Sequence, residues 1–176
     1  MIYVKGIISL FSYYYNRFFY IINPIGYAKR IGVSIGENCR FVGDVTFSSE
    51  PYLVSLGNHV SITNSDFITH DGAVWVYRDN NPEIDLLGQI KVGSNVFIGA
   101  KCTILPNTII EDDVIVGAGS IVKGRLIRGH VYAGVPVKKI CTKDEYFIKN
   151  RQRFSYTKCY SPKEKELFCR SKIIDN

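Results

Sequence analysis

Three histidines are the side chains of this sequence best suited to moving a proton at neutral pH: His59, His70 and His130. A neutral imidazole accepts a proton readily, so a histidine beside a binding loop is a candidate general base. Only His70 stands where a regular apolar pattern gives way to an irregular segment, residues 74–89, and it is the predicted base. The neighbouring Asp71 or a backbone carbonyl would orient its second ring nitrogen. The other two histidines are expected to be structural or solvent-exposed.

The irregular segment 74–89 is long for a loop in a regularly patterned chain, and such loops usually have a function. It contains the only tryptophan of the chain, a tyrosine, an arginine and a run of short polar residues. Aromatic rings and planar polar groups suit the mixed apolar and hydroxyl faces of a carbohydrate. We therefore predict that Trp75, Tyr77 and Arg78 bind a sugar. The alternative, equally open, is that the segment is an arm that contacts another subunit.

The sequence predicts neither a metal site nor a disulfide framework. The five cysteines are far apart and form no Cys-x-x-Cys pair: Cys39, Cys102, Cys141, Cys159 and Cys169. An odd number of scattered cysteines argues against a disulfide framework and a zinc knuckle, and favours a reducing compartment. The histidines are too few and too irregularly spaced to suggest ligands, so no metal is predicted.

The elements that must position these groups repeat every six residues. Counting from residue 92, six consecutive positions at this spacing are valine or isoleucine: Val92, Ile98, Ile104, Ile110, Val116 and Val122. Four positions after each stands a mostly small or β-branched residue: Val96, Cys102, Thr108, Val114, Ser120 and Leu126. Glycine, asparagine, aspartate and proline between them are turn-forming residues. The pattern indicates short strands joined by tight turns.

A period of six is neither helical nor the simple alternation of an ordinary strand. It fits a strand and a turn with one aliphatic side chain per repeat pointing inward, and three repeats make one triangular coil. Stacked coils, about 4.8 Å apart, bury a continuous apolar column. The same step recurs upstream at Leu56, Ile62 and Ile68, and at Ile35, Phe41 and Phe47. Residues 35–135 therefore predict a mainly β protein, a parallel β-helix of roughly five coils.

Three segments resemble the closing coils of hexapeptide-repeat acyltransferases. They are Ile98-Gly99-Ala100, the run from Ile115 to Val122 that contains Gly-Ala-Gly-Ser, and Ala133-Gly134-Val135-Pro136-Val137-Lys138. Thr69-His70-Asp71-Gly72 is similar to the same family, especially to the maltose, galactoside and xenobiotic acetyltransferases and the sugar O-acetyltransferases of surface-polysaccharide pathways. The resemblance covers residues 31–140. It implies a left-handed β-helix and a homotrimer with active sites between subunits.

The resemblance also implies a cofactor and its contacts. Acetyl-CoA would be the acyl donor, with no metal required. The pantetheine arm would lie against the backbone at Ala100 and Ala118, where small side chains leave room. Lys123 and Lys138 stand at family positions near the thioester cofactor, and a lysine suits its phosphates. The family places its catalytic histidine beside the long loop, at the position of His70.

The implied activity is transfer of an acetyl group to a sugar hydroxyl in capsule, O-antigen or exopolysaccharide synthesis. The acceptor would be a sugar or a lipid-linked saccharide, and His70 would deprotonate its hydroxyl. Two alternatives stay open. One is N-acetylation of an amino sugar on a nucleotide carrier; the other is a non-catalytic trimeric β-helix scaffold.

The charge of the chain is concentrated at its ends. The formal net charge is +6, yet residues 37–137 carry seven basic and eleven acidic side chains. Residues 1–36 have four basic and no acidic side chains, and residues 138–176 have eleven basic and five acidic. An acidic middle argues against a nucleic-acid partner. Basic ends beside an acidic middle favour peripheral contact with an anionic membrane surface. With the reducing compartment that the cysteines indicate, this predicts a cytoplasmic protein that contacts the cytoplasmic face of the membrane.

The two ends are predicted to be helical. Residues 1–30 are rich in aromatic and aliphatic side chains but contain no uninterrupted span long enough to cross a bilayer. This segment packs on the protein or lies in the membrane interface, and Pro24 is expected to end its helix. Residues 141–176 form a basic tail. Thr142 and Ser161 each begin a capping-box pattern, which predicts two short helices.

Overall fold

The computed structural model of the chain describes residues 18–174. The part of the predicted N-terminal helical segment that precedes residue 18 lies outside the described residues. The described chain divides into two compact units, with the boundary between Asp144 and Glu145. The first unit holds the strands and every sequence-predicted site residue.

The first unit is a parallel β-helix of five coils, as the six-residue period predicts. Successive strands of the same face pair in parallel, one coil above the next. Its strands are β1 Ser34–Ile35, β2 Arg40–Phe47, β3 Val54–Leu56, β4 Val60–Phe67, β5 Ile90–Val92, β6 Val96–Ile98, β7 Thr103–Ile104, β8 Thr108–Ile110, β9 Ile115–Val116, β10 Ile121–Val122, β11 Arg125–Leu126, β12 His130–Ala133 and β13 Lys138–Thr142.

Three faces enclose the core. The first face stacks β1, β3, β5, β8 and β11 in that order. The second face contains the starts of β2 and β4, then β6, β9 and β12, with β13 added antiparallel at the end. The third face contains the ends of β2 and β4, then β7 and β10. Three corners therefore run along the solenoid, and the turns and loops that connect the strands lie at these corners.

The interior is the aliphatic column that the repeat predicts. All six valine and isoleucine positions from Val92 to Val122 are 4% exposed or less. The six positions that follow them by four residues are 2% exposed or less, including the polar Thr108 and Ser120. Burying these side chains is the main favourable contribution to the fold, because it removes apolar surface from water in every coil. The six-residue period therefore identifies the inward positions correctly from Val92 to Leu126.

At the end of the second coil, the inward position predicted by counting in sixes is wrong by one residue. Phe67 is fully buried and pairs with Ile104, whereas Ile68 is only half-buried. The predicted inward position was Ile68. The turn after Ile62 has one residue fewer than the corresponding turn of the third coil, so the inward spacing there is five. The shorter turn determines which residues of the first two coils stack on each other, including those at the candidate site.

One corner carries a ladder of residues in the left-handed backbone region. Asn38, His59, Asn95 and Asp113 have φ between 55° and 58°, a region that asparagine and aspartate tolerate better than most residues. His59 Nδ1 lies 2.9 Å from Asn95 Oδ1, and Asn95 Nδ2 donates to Asp113 Oδ1 at 2.7 Å. His59 therefore takes part in coil-to-coil hydrogen bonding at a turn.

Two helical stretches precede the first coil. Residues 18–22 are helical, and helix α1 spans Pro24–Arg30. Pro24 thus follows the end of one helix and begins the next, because proline suits the first turn, where no backbone donor is needed. Ala28 is buried in the core, while the Tyr20 hydroxyl accepts from Val45 N at 2.9 Å. These contacts attach the segment to the first coil.

Short helices follow β13, and the first of them crosses the boundary between the two units. Helix α2 spans Lys143–Asn150 and begins directly after Thr142, and helix α3 spans Pro162–Cys169. The capping box at Ser161 is present: its side chain accepts from Glu164 N, and the Glu164 carboxylate accepts from Ser161 N. A 3-10 turn lies at Arg151–Arg153, and a π-helical turn at Arg170–Ile174. Within residues 18–174, no helix has the length and apolar content to span a membrane.

Candidate active site

His70 lies at the corner between the third and first faces, where the long loop leaves the second coil. The loop returns beside its starting point: Asp71 N donates to Leu86 O, and Gly88 N donates to Thr69 O, both at 2.8 Å. His70 and Leu87 form an antiparallel bridge between these two hydrogen bonds. The stem of the loop is thereby closed by backbone hydrogen bonds, and the histidine is fixed in it.

The ring of His70 is paired with a carboxylate. His70 Nδ1 lies 3.0 Å from Glu50 Oε2. A carboxylate oxygen only accepts, so the ring nitrogen must donate, and a neutral imidazole then presents a lone pair on Nε2. The His70 side chain is 40% exposed, and that of Glu50 is 17% exposed. The geometry is that of a histidine held in one tautomer with its second nitrogen available to a reactant.

Coil stacking explains this pair. Phe47 pairs with Phe67 in the parallel register, and their rings stack with centroids 5.2 Å apart. Glu50 and His70 each follow these phenylalanines by three residues, so they lie on adjacent coils at the same corner. Sequence reasoning missed Glu50. If Ile68 were the inward residue, Glu50 would stack on Asp71. Because Phe67 is the inward residue, Glu50 stacks on His70, and knowing that register from the sequence would have identified the pair.

The carboxylate of Glu50 is held by hydroxyl groups as well. Thr69 Oγ1 donates to the same Oε2 atom at 2.8 Å. The hydrogen bond from His70, and next that from Thr69, hold the pKa of Glu50 below its ordinary value, against the opposing effect of burial. Glu50 is therefore ionised at neutral pH, as a partner that orients an imidazole must be.

The Asp71 carboxylate is hydrogen-bonded to the loop and not to the imidazole. It accepts from Ala73 N at 3.0 Å and caps the 3-10 helix Gly72–Tyr77, which is the first part of the loop. Of the two orienting groups considered from the sequence, Asp71 and a backbone carbonyl, neither is the partner: a carboxylate of the preceding coil fills that position.

The three predicted sugar-binding residues lie in this loop, but in different environments. Trp75 is 73% exposed and Tyr77 is 63% exposed. Arg78 instead pairs with Asp85, Nη2 to Oδ1 at 2.7 Å, and its side chain reaches the carbonyl of Ile84. The arginine thus joins the outgoing and returning parts of the loop. The aromatic rings remain available to a ligand or to another chain.

The predicted cofactor contacts are distributed over two corners of the β-helix. Ala100 and Ala118 stack on neighbouring coils at the corner between the second and third faces, where Gly119 N donates to Ala100 O at 2.8 Å. Lys123 is exposed and directly follows β10, at the corner between the third and first faces. That is the corner of His70. Lys138 is exposed and begins β13.

The corner with the two alanines is unusually tight. A Cβ atom on Gly99 would lie 2.6 Å from Ala118 N, so only glycine allows the two coils to approach at this point. Ala118 itself is exposed. The result is a smooth backbone edge without bulky side chains, which suits a long flexible ligand arm. In the part of the chain that the structure describes, no three His, Cys, Asp or Glu side chains are grouped as metal ligands would be.

The chain is thus a parallel β-helix with an oriented histidine at the stem of a long loop. The family model described as bacterial transferase hexapeptide (six repeats) matches residues 89–124. Protein CapG of Staphylococcus aureus is 42% identical over 151 residues, which are 84% of this chain and 88% of CapG. A putative lipopolysaccharide biosynthesis O-acetyl transferase of Escherichia coli (strain K12) is 35% identical over 96 residues, 49% of each chain.

A solved structure shares the fold. A hexapeptide-repeat-containing acetyltransferase of Vibrio cholerae O1 biovar eltor, complexed with acetyl coenzyme A, superimposes with a TM-score of 0.56 at 21% identity. The matched region is 63% of this chain and 60% of that one. The chain belongs to the family of bacterial hexapeptide-repeat acyltransferases.

Proposed function

We propose that this acyltransferase moves an acetyl group from acetyl-CoA to a hydroxyl of a saccharide in surface-polysaccharide synthesis. The observation that carries the proposal is the pair of His70 and Glu50 at the stem of an aromatic loop, because hydroxyl acylation needs a base beside an acceptor site. The similarity to the putative lipopolysaccharide O-acetyl transferase supports the acceptor class and the choice of oxygen over nitrogen.

The reaction needs two proton transfers and one bond exchange. His70 Nε2 takes the proton of the acceptor hydroxyl while its oxygen attacks the thioester carbonyl carbon. A backbone N–H stabilises the oxyanion of the tetrahedral intermediate, and that of Ala100 is the candidate. The carbon–sulfur bond then breaks, and the imidazolium returns its proton to the departing thiolate. Glu50 would stabilise the imidazolium in between, since its carboxylate oxygen lies 3.0 Å from Nδ1.

The donor would be acetyl-CoA, bound along the backbone edge at Ala100 and Ala118, with Lys123 and Lys138 near its phosphates. The Vibrio cholerae neighbour, which shares the fold, was solved with this cofactor. A lysine near phosphates contributes mainly through its positive charge. The close approach of the coils at Gly99 supports the proposal, because it leaves the edge free of large side chains.

The separation of the two corners supports active sites between subunits of a homotrimer. From Ala100 to the corner of His70, the chain crosses the third face, five residues or about 16 Å at the rise of an extended strand. One thioester carbonyl cannot contact groups at both corners of one chain. A neighbouring subunit would bring its alanine corner to the His70 corner. Trp75, Tyr77 and Arg78 would contact the acceptor or that subunit.

The decisive assay measures thiol release from acetyl-CoA against nucleotide sugars and lipid-linked oligosaccharides. His70→Asn is expected to lower kcat at least 100-fold with the best acceptor, because a general base contributes about that much or more. His59→Asn is the matched control, since His59 lies in a turn with a left-handed backbone that asparagine tolerates. Near-wild-type transfer by His70→Asn would exclude the mechanism.

Two further measurements distinguish the alternatives. An O-acetyl product is cleaved by mild alkali, whereas the amide of an N-acetylated amino sugar survives, so acetate release separates the two acceptors. Calorimetry with acetyl-CoA tests the scaffold hypothesis, because a non-catalytic scaffold has no need to bind the donor. Absence of any heat of binding would favour the scaffold.

We also propose that the N-terminal segment contacts the membrane peripherally at its cytoplasmic face, where a lipid-linked acceptor is available. In the helical residues 18–22, Phe18, Ile21 and Ile22 are 63–68% exposed, while Tyr20 hydrogen-bonds the first coil. Lys29 and Arg30 are exposed beside them. Exposed apolar side chains beside basic ones suit an anionic lipid interface.

Vesicle sedimentation tests this contact with the full chain. Binding to vesicles of phosphatidylglycerol and phosphatidylcholine should fall severalfold in Ile21→Glu and persist in Ile127→Glu, a matched change at a 47% exposed isoleucine of the β-helix. Equal sedimentation of the wild type and Ile21→Glu would contradict the proposal, and so would equal binding to vesicles without anionic lipid.

A further inference from the structure

The hydrogen bonds behind Glu50 continue into the protein. Thr69 is fully buried, and its Oγ1 lies 2.8 Å from Glu50 Oε2. A carboxylate can only accept, so the threonine hydroxyl donates. Oε2 therefore receives two donors, Thr69 Oγ1 and His70 Nδ1, from adjacent residues of one strand end. Two donors on one oxygen restrict how the carboxylate can rotate.

A second hydroxyl fixes the first. Ser48 Oγ lies 2.6 Å from Thr69 Oγ1, and it accepts from Thr69 N at 2.8 Å. Because the proton of Thr69 Oγ1 is already directed at Glu50, Ser48 must donate its own proton to Thr69. The chain of hydrogen bonds then has a single direction: Ser48 donates to Thr69, and Thr69 donates to Glu50. Every donor and acceptor in it has a partner, as buried polar groups require.

A second buried threonine, Thr108, shows the hydrogen bonding that is usual for a buried hydroxyl. Thr108 is also fully buried, but its hydroxyl donates to a backbone carbonyl of its own turn, Leu105 O, at 2.6 Å. That hydrogen bond satisfies the hydroxyl locally and reaches no ionisable group. At Thr69 the hydroxyl is instead directed at the carboxylate that holds His70, although backbone carbonyls are the commoner partners of side-chain hydroxyls.

We infer that Thr69 and Ser48 are positioning residues of the proposed acyl transfer. Their hydroxyls, one buried and one half-buried, form a relay that holds Glu50 in the one orientation in which it fixes the tautomer of His70. The inference rests on the proposed function for its effect on rate, but its effect on the His70 ring does not depend on knowing the acceptor. Without the relay, the carboxylate rotates more freely and the imidazole loses its bias towards Nδ1–H.

The experiment compares Thr69→Val, Thr69→Ser and the matched control Thr108→Val in the full chain. Valine keeps the shape of threonine and removes the hydroxyl, whereas serine restores it. Nitrogen-15 NMR of the imidazoles reports the tautomer of each histidine, and His70→Asn assigns the signal. Steady-state kinetics gives kcat and KM with the best acceptor. Thermal unfolding shows that each variant is folded.

Thr69→Val should lower kcat about tenfold at nearly unchanged KM, a usual cost of losing a group that orients a catalytic ligand or base. Its His70 signal should move towards a mixture of tautomers. Thr69→Ser should recover both properties, and Thr108→Val should change neither. If Thr69→Val keeps both the tautomer and kcat while Glu50→Gln loses them, the relay is wrong and the proposed function stands. If Glu50→Gln and His70→Asn also keep kcat, the proposed function itself fails.

Discussion

The Nδ1 atom of His70 lies 3.0 Å from Oε2 of Glu50, although the two residues are 20 positions apart in the chain. Parallel coil stacking brings them together, since each follows a stacked phenylalanine by three residues. A β-helix thus creates a histidine–carboxylate pair from two short segments of consecutive coils.

Glu50→Gln should lower kcat about 10- to 100-fold while the protein stays folded, because glutamine cannot stabilise an imidazolium by charge. The KM values of donor and acceptor should change little, since Glu50 contacts neither in the proposed mechanism. Glu37→Gln, at an exposed carboxylate of the first coil, is the control. Steady-state kinetics with the best acceptor checks the prediction, and an unchanged kcat would contradict the role of the pair.

Lys123→Ala should raise the KM for acetyl-CoA about tenfold with a much smaller change in kcat. One lost contact between a lysine and a phosphate is worth about 1.4 kcal/mol on this scale. The same change in Lys138 should act in the same direction. Lys163→Ala in helix α3 is the control for loss of one positive charge. A lower kcat at constant donor KM would argue that Lys123 acts elsewhere.

Trp75→Ala distinguishes the two interpretations of the loop. The side chain is 73% exposed, so its removal should leave the stability of the isolated chain unchanged. If the ring binds the acceptor, the acceptor KM should rise severalfold while the molar mass in solution stays the same. If it contacts another subunit, light scattering should show dissociation. Val76→Ala, at a 72% exposed neighbour, is the matched control.

Asp113 should contribute to stability above pH 4 and lose that contribution in acid. Hydrogen bonds from Asn95, Lys143 and Arg128 lower the pKa of Asp113 from 3.8 to about 2. The folded-state pKa is therefore below the unfolded one, so the contribution is complete above the unfolded value and disappears as the pH falls through the folded one. A shift of this size corresponds to at most about 2 kcal/mol.

Asp113→Asn tests this prediction without backbone strain, because asparagine tolerates the φ of 58° found there. Denaturant unfolding at pH 7 should show the variant to be less stable by up to about 2 kcal/mol, and the difference should shrink towards pH 2. A difference that stays constant between pH 7 and pH 2 would show that the carboxylate charge is not its cause.

Hydrophobic periodicity alone predicted the solenoid and its core. From Val92 to Leu126 every strand with its following turn has six residues, so counting in sixes identifies the inward side chains. The family resemblance came from motifs inside this region and on either side of it, and the family model that matches residues 89–124 agrees with it. The position of His70 beside the loop was also readable, because an interruption of a strict repeat is visible in the sequence.

The register of the first two coils was decided by tertiary structure. Their turns differ in length by one residue, and a shift of one residue in a strand reverses which side chains point inward. Glu50 could not be paired with His70 until Phe67, rather than Ile68, was known to be buried. The ion pair of Arg78 with Asp85 could not be predicted either, because it depends on how the loop folds back on itself.

The sequence by itself therefore determined the architecture, the family and the candidate base, because all three depend on local repeats and motifs. The tertiary structure decided what orients His70, which loop residues remain exposed and at which corners the predicted donor contacts lie. Those relationships arise between coils, where stacking brings together residues about 20 positions apart whose spacing follows no fixed period.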